Sequence, residues 1–277
     1  MKELSKQDRA LIESITGQEL GSVAEADLGG GKKFLNNPAL NKKGHHLVRC
    51  VLAWRTYEER LKKRGVYNDE KVQEMLREGV VIEKNVSEKD VPKLMRKYSG
   101  FDVTAAPPTP DKRTGCFLIN GEASGRLSPE HIVHRADDDQ YALHSDVFYP
   151  AFKGWIVTQK TTIKSGPFNY IRRSHGISEN RLRWDYFCSS ELPHYVTTPG
   201  CTVIGSFRVH ACAKPEKESV YLKEYGFDEP EPIIADVGDM LIANTRGLHK
   251  RGRARPGTVR RLVVAKFRAP DPFLDHE

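Results

Sequence analysis

The chain has 277 residues, of which 38% are hydrophobic and 29% charged, a composition that suits a folded protein with a sizeable core and a polar surface. No apolar run approaches eighteen residues, which argues against a membrane-spanning helix, and the first residues, MKELSKQDRALIES, lack the apolar core of a secretory signal. We therefore expect a cytoplasmic protein without a membrane partner. The net charge of +7 favours anionic partners, although a basic solvated surface also accounts for it, and five scattered cysteines without a Cys-x-x-Cys pair indicate reduced thiols.

The first part of the chain predicts loops followed by a helix. Residues 1–45 are polar and contain GGGKK at 29–33, which lacks the spacing of a phosphate-binding loop and predicts a mobile loop. Residues 46–65 carry apolar side chains at helical spacing and predict an amphipathic helix. We expect residues 1–69 to form a helical and loop extension that packs on a core domain spanning residues 70–277.

The core domain begins with a helix–strand–helix pattern and continues as short strands. KVQEMLREG predicts a helix that ends at Gly79, VVIEKNV a strand, and SEKDVPKLMRKY a second helix with Ser87 as its N-cap. From about residue 100, β-branched and aromatic runs separated by turn residues predict a β-sandwich or barrel. These runs are GCFLING, YALHSDVFY, GWIVTQKTTI, GCTVIGSF, EPIIADVGDMLIAN and TVRRLVVAKF.

One triplet in these strands has the spacing of metal ligands. His144 and Asp146 stand two residues apart, so they point to the same face of a strand. One further imidazole would complete a set of two histidines and one carboxylate, which leaves open positions on a non-haem Fe(II). The triplet alone is weak evidence, but the strand-like run DMLIAN is followed by a candidate for that imidazole, His249.

The order of the motifs resembles the phytanoyl-CoA dioxygenase-like branch of the Fe(II)/2-oxoglutarate oxygenases, over roughly residues 70–268. The resemblance rests on LREGVVIEKNVSEKDVPKLMRKY, His144-x-Asp146, SGPFNYIRRSHG, GDMLIANTRGLH and a following arginine. It implies a mostly β fold with flanking helices, a double-stranded β-helix (jelly roll, cupin-like). It also implies Fe(II), 2-oxoglutarate and O2 as cofactor and co-substrates, with His144, Asp146 and His249 as the catalytic iron ligands.

The same resemblance implies an arginine for the distal carboxylate of 2-oxoglutarate, about eleven residues after His249. That residue is Arg260, whose planar guanidinium binds a carboxylate bidentately. The neighbouring Arg261 is an alternative, because the alternation of Val259, Val263, Ala265 and Phe267 places it on the more apolar face of the predicted strand. The spacing leads us to prefer Arg260.

Further candidates lie between Asp146 and His249 in the sequence. Trp155, Gln159 and Thr161 share one parity on the predicted strand after Asp146, so we expect Trp155 to contact substrate and the other two to contact the co-substrate, with core packing as the alternative. In SGPFNYIRRSHG, Arg172-Arg173 stand where such proteins often carry Pro-Gly. We expect Arg172 and His175 to contact an anionic substrate.

The expected activity is oxidation of an unactivated C–H bond in a small polar or anionic metabolite, with release of succinate and CO2. Related halogenases have a small residue in place of the carboxylate, so Asp146 favours hydroxylation over halogenation. One alternative is an oxygenase directed at nucleic acid, which we do not expect because the chain lacks a basic stripe studded with aromatic residues. Another alternative is a non-oxidative, cupin-like binding module in which the metal is structural or absent.

Overall fold

The computed structural model describes residues 3–31, 33–106, 115–119, 122–134, 139–191, 218–267 and 272–273. The predicted strand GCTVIGSF, residues 200–207, lies outside these ranges. None of the helices in the described part of the chain combines the length and the apolar character needed to cross a membrane.

The helices are concentrated in the first hundred residues. They are α1 (Lys6–Thr16), α2 (Pro38–Lys42), α3 (His45–Lys63), α4 (Glu70–Glu78), α5 (Val91–Ser99), α6 (Glu179–Tyr186) and α7 (Glu218–Glu224), with short helical turns at Glu25–Leu28, Glu88–Asp90, Asp139–Tyr141 and Phe187–Glu191. α4 ends at Gly79, whose φ of 81° is left-handed, as the sequence predicts. Ser87 caps the turn that leads into α5 rather than α5 itself, through a capping box with Asp90.

The strands form two antiparallel sheets. They are β1 (Val80–Glu83), β2 (Val103–Ala106), β3 (Gly115–Ile119), β4 (Glu122–Val133), β5 (Phe152–Val157), β6 (Phe168–Tyr170), β7 (Glu231–Ile233), β8 (Met240–Asn244), β9 (His249–Arg251) and β10 (Val259–Phe267). The large sheet has the order β1-β8-β5-β10-β4-β3-β2 and the small sheet the order β7-β6-β9. The chain passes from the large sheet to the small one after β5 and after β8, and it returns before β8 and β10. This alternation makes the fold a double-stranded β-helix with flanking helices, as predicted.

The two faces of the large sheet have different coverings. On the outer face, side chains such as Ile156 and Val263 pack in one core with Trp54, Tyr57 and Leu61 of α3. On the inner face a second cluster joins the two sheets: Val80, Trp155, Leu241 and Ala243 with Phe168, Tyr170 and Ile233. Residues before position 70 thus share the main core with the sheet, and the space between the sheets is left for a site.

The glycine-rich segment near residue 30, for which the sequence predicts a mobile loop, is anchored. Arg49 of α3 is buried and donates hydrogen bonds to the carbonyl oxygens of Gly30 and Gly31 at 2.7 and 2.8 Å. Lys33 Nζ donates to the carbonyl of Ser145 at 2.6 Å. The loop conformation is confirmed and its mobility stays a prediction; the groups that anchor it lie far along the chain, so local sequence did not reveal them. The loop lies against the segment that carries the candidate metal ligands.

Candidate metal centre

The structure brings His144, Asp146 and His249 together, with one potential ligand atom from each within 4.8 Å of the others. His144 and His249 form an isolated antiparallel bridge in which each backbone N–H donates to the other residue's carbonyl at 2.9 Å. The backbone N–H of Asp146 donates to Thr245 at 2.9 Å. The continuous strand predicted across YALHSDVFY is therefore wrong. The backbone hydrogen bonds of His144 and Asp146 nevertheless keep these two side chains on the same side of the segment, as the spacing of two residues predicts.

Both imidazoles present the same nitrogen to the centre. Nδ1 of His144 lies 2.7 Å from the carbonyl oxygen of Ala142, and Nδ1 of His249 lies 2.8 Å from that of Gly247. A carbonyl oxygen only accepts a hydrogen bond, so each Nδ1 carries the proton and each Nε2 keeps its lone pair. Nε2 of His249 lies 3.9 Å from Oδ1 of Asp146. The three donors therefore face one another as metal ligands would.

The protonation states suit a divalent cation. Burial lowers the pKa of His144 and of His249, and the proximity of the two rings lowers that of His144 further. Burial opposes ionisation of Asp146, yet the adjacent His249 and Lys153 outweigh it and lower the pKa of this carboxyl. At neutral pH the centre is two neutral imidazoles and one carboxylate, the set that binds a metal without first losing a proton.

A buried network connects the two segments that carry the ligands. Arg181 of α6 donates to Oγ of Ser145 at 3.1 Å and to the carbonyl of Arg246 at 2.8 Å. Asp185 accepts from Nε of Arg181 at 3.0 Å and from Nη2 of Arg246 at 2.8 Å. All three charged side chains are at most 2% exposed. Sequence reasoning missed this network. The i, i+4 spacing of Arg181 and Asp185 was its only local signal.

A small cavity of about 20 Å³ lies between the sheets. Its lining includes Trp155, Thr161, Phe168, Leu241, Leu262 and Arg260. The ring of Phe168 contacts both Trp155 and His249, with centroid distances of 4.8 and 5.3 Å. One aromatic ring therefore separates the cavity from a metal ligand.

The structure distinguishes the two candidate arginines. Arg260 is 9% exposed, and its Nη1 donates to the carbonyl of Gly166 at 2.7 Å. Arg261 also lines the cavity but is exposed. Val263 and Ala265, which share its parity, pack in the core under the helices. The apolar face that suggested Arg261 is thus the helix-covered face, and Arg260 lies on the face between the sheets.

Of the remaining candidates, only Thr161 lines the cavity, and the others lie at the surface or against the helices. Thr161 is buried and lines the cavity. Gln159 is exposed beyond the end of β5, so the parity it shares with Trp155 in sequence does not bring it to the cavity. Arg172 is exposed and forms an ion pair with Glu231. His175 is buried against the helices, with Nε2 3.2 Å from the carbonyl of Leu76.

His175 is expected to make the folded state sensitive to acid. Burial, and secondarily the charge of Arg246, lowers its pKa to about 3. An unfolded histidine titrates near pH 6.5. Below that pH the unfolded state therefore binds a proton that the native state does not bind. His175 alone should therefore lower the free energy of unfolding by about 1.4 kcal/mol per pH unit from pH 6.5 towards 3, and should have no effect above about pH 6.5.

Urea unfolding between pH 7 and 5 measures this effect. His175→Phe keeps a ring against Trp54, which it contacts at 5.5 Å, and should remove about one proton's worth of pH dependence. His131→Phe changes an exposed histidine of β4 and should keep the slope of the unmodified protein. Equal slopes for the His175 variant and the unmodified protein would contradict the prediction.

The sequence matches no protein-family model, and no curated protein sequence is significantly similar to it. Among solved structures, AviO1 from Streptomyces viridochromogenes Tue57 matches with 13% identity and a TM-score of 0.33, over 72% of this chain and 93% of its own. HygX from Streptomyces hygroscopicus, solved with nickel, 2-oxoglutarate and hygromycin B, matches with 12% identity and a TM-score of 0.33, over 72% and 86%.

Two further matches have similar scores. SnoN, a non-heme alpha-ketoglutarate-dependent epimerase from nogalamycin biosynthesis, has 10% identity and a TM-score of 0.32, over 70% of this chain and 77% of its own. EvdMO1 has 14% identity and a TM-score of 0.28. The match covers 65% of this chain but only 30% of EvdMO1. Matches at these scores are weak, so the assignment of the fold rests on the strand order, and that of the site on its side-chain geometry.

Proposed function

We propose that this protein is an Fe(II)- and 2-oxoglutarate-dependent oxygenase that acts on a small molecule. One observation carries the proposal: Nε2 of two neutral histidines and the carboxylate of Asp146 converge within 4.8 Å. Two imidazoles and one carboxylate are the donor set of non-haem Fe(II) oxygenases. The hydrogen bonds from both Nδ1 atoms to backbone carbonyls are the support such ligands require. The residues therefore fit the metal.

The residues that line the cavity between the sheets support 2-oxoglutarate as the co-substrate. Arg260 lies on its wall with a guanidinium that can bind a carboxylate bidentately. Thr161 adds a buried hydroxyl on the same cavity. Phe168 lines this cavity and its ring also contacts His249, so the cavity wall extends to a candidate metal ligand.

The chemistry divides between cofactor and protein. When bound, iron and 2-oxoglutarate supply the activation of O2 that oxidises a C–H bond, with release of succinate and CO2. The imidazoles of His144 and His249 are neutral, and their hydrogen bonds to backbone carbonyls fix the tautomer. Asp146 stands at the position where halogenases have a small residue. Hydroxylation is the outcome we propose. The proposed substrate is a small polar or anionic metabolite, and the membership of the phytanoyl-CoA dioxygenase-like branch stays a prediction.

Anaerobic addition of Fe(II) and 2-oxoglutarate to the purified protein tests the proposal. A weak visible charge-transfer band should appear only when both are present, and admission of O2 with a substrate panel should release succinate. Fe(II) alone and 2-oxoglutarate alone are the controls. Metal binding without a band or 2-oxoglutarate binding would instead indicate a non-oxidative binding module.

Arg260→Gln is expected to raise the 2-oxoglutarate concentration needed for half-maximal formation of the band. Loss of one hydrogen bond to a charged group costs about 1.5–3 kcal/mol, which corresponds to roughly 10- to 150-fold in apparent affinity. Arg261→Gln is the matched control, because the side chain is adjacent and exposed, and it should change the requirement by less than about twofold. A larger effect of Arg261→Gln would reverse the assignment.

A further inference from the structure

A lysine on β5 lies against the candidate metal ligand Asp146. Nζ of Lys153 is 2.7 Å from Oδ2 of Asp146. Lys153 shares its parity on β5 with Trp155, so it lies on the face of the large sheet that is turned towards the small sheet. The lysine side chain is 38% exposed and that of Asp146 25%, whereas Oδ2 itself is buried.

The two oxygens of the Asp146 carboxylate have different neighbours. Oδ1 lies 3.9 Å from Nε2 of His249, within the cluster of potential metal ligands. Oδ2 is the oxygen that the ammonium group of Lys153 approaches. An ammonium group at 2.7 Å occupies one carboxylate oxygen and leaves the other for a cation. The ion pair thus makes the two oxygens chemically unequal before any metal binds.

We propose that Lys153 is a positioning residue that keeps Asp146 a one-oxygen ligand of the metal. The inference rests on the proposed metal centre. A carboxylate that binds through both oxygens takes an additional coordination position, whereas the proposed reaction needs three open positions, two for 2-oxoglutarate and one for O2. By holding Oδ2, Lys153 protects the third open position. Its positive charge also lowers the affinity for a divalent cation.

Mn(II), which binds without redox chemistry, is the probe for this inference. Metal affinity is measured by titration of the full chain followed by the EPR signal of free Mn(II), and the number of metal-bound waters by proton relaxation of the solvent. Lys153→Met should bind Mn(II) severalfold to about tenfold more tightly, since a nearby positive charge is removed. It should also hold about one water fewer, since Asp146 then binds through both oxygens. Lys153→Gln, a second uncharged variant, should behave alike.

Two further variants separate positioning from a general effect of charge. Lys153→Arg keeps a cationic donor for Oδ2 and should keep the water number of the unmodified protein. Lys266→Met removes a lysine that pairs with Glu130 on the same sheet, directly beside Lys153 in register and similarly exposed at 41%. It should change neither the affinity nor the water number.

The outcomes distinguish a failure of the proposed metal centre from a failure of the role assigned to Lys153. If the unmodified chain binds no Mn(II), or if Asp146→Ala binds it equally well, the proposed metal centre fails. If the centre binds Mn(II) but both uncharged variants keep the water number, or bind the metal more weakly, the role assigned to Lys153 is wrong.

Discussion

Asp146→Ala and His249→Ala are each expected to abolish the charge-transfer band and to stop the formation of succinate. Each removes one of three donors that lie within 4.8 Å of one another. Changes to groups that merely orient a ligand cost 10- to 100-fold in metal affinity, so the loss of a ligand itself should cost at least about 100-fold. Metal titration under anaerobic conditions measures the effect directly and does not require the substrate to be known.

The ligand variants should remain folded. Asp146 is partly exposed, and in its absence Lys153 can reach solvent. A matched control is Asp236→Ala, which removes an exposed carboxylate that pairs with Lys160 at 3.5 Å. It should leave metal binding and the band unchanged. Retention of the band in either ligand variant, with the fold intact by circular dichroism, would refute the iron site.

Arg246→Met is expected to lower the free energy of unfolding by about 3–5 kcal/mol, because it breaks a buried ion pair by removing one partner. The arginine is fully buried, and its Nη2 donates to Oδ2 of Asp185 at 2.8 Å. Its Nε donates to the carbonyl of Phe148 at 2.7 Å. The variant leaves these acceptors short of a donor away from water, and the pairing between Arg181 and Asp185 only partly compensates.

Urea unfolding at pH 7 measures this loss, with a surface ion pair as the comparison. Arg172→Met breaks the pair with Glu231, in which both side chains are more than 40% exposed, and should cost less than about 1 kcal/mol. A second comparison is Arg246→Met combined with Asp185→Leu, which removes the stranded carboxylate and should recover part of the stability. Similar losses for Arg246→Met and Arg172→Met would show that the buried network does not stabilise the fold.

The network also connects stability with the metal centre. Arg181 contacts Ser145, between two ligands, and the backbone of Arg246, which precedes the third ligand in the chain. Any Arg246→Met protein that folds should therefore bind Mn(II) more weakly than the unmodified chain. A network that only supported the core would leave the metal affinity unchanged.

Local patterns in the sequence determined the helix that ends at Gly79, the strand β1 and the order of the three candidate ligands. These features depend on neighbours along the chain: a glycine that adopts a left-handed φ, alternation with period two, and the spacing of histidine and carboxylate. The resemblance to the Fe(II)/2-oxoglutarate oxygenases, which implies an arginine about eleven residues after His249, favoured Arg260. Alternation favoured Arg261, because Arg261 lies on the more apolar face of the strand. That face is the one the helices cover, and a sequence does not show which face of a strand a helix will cover.

Tertiary structure decided what depends on segments that are distant in sequence. Only the folded chain shows that Arg49 anchors the glycine-rich loop, that Arg181 and Arg246 join the ligand segments, and that His175 is buried against the helices. Lys153 is the clearest case. It is seven residues from Asp146 and no motif marks it, yet the turn between the ligand segment and β5 brings its ammonium group to 2.7 Å from the carboxylate. Charge pairing of this kind depends on distance in space, which spacing along the chain does not encode.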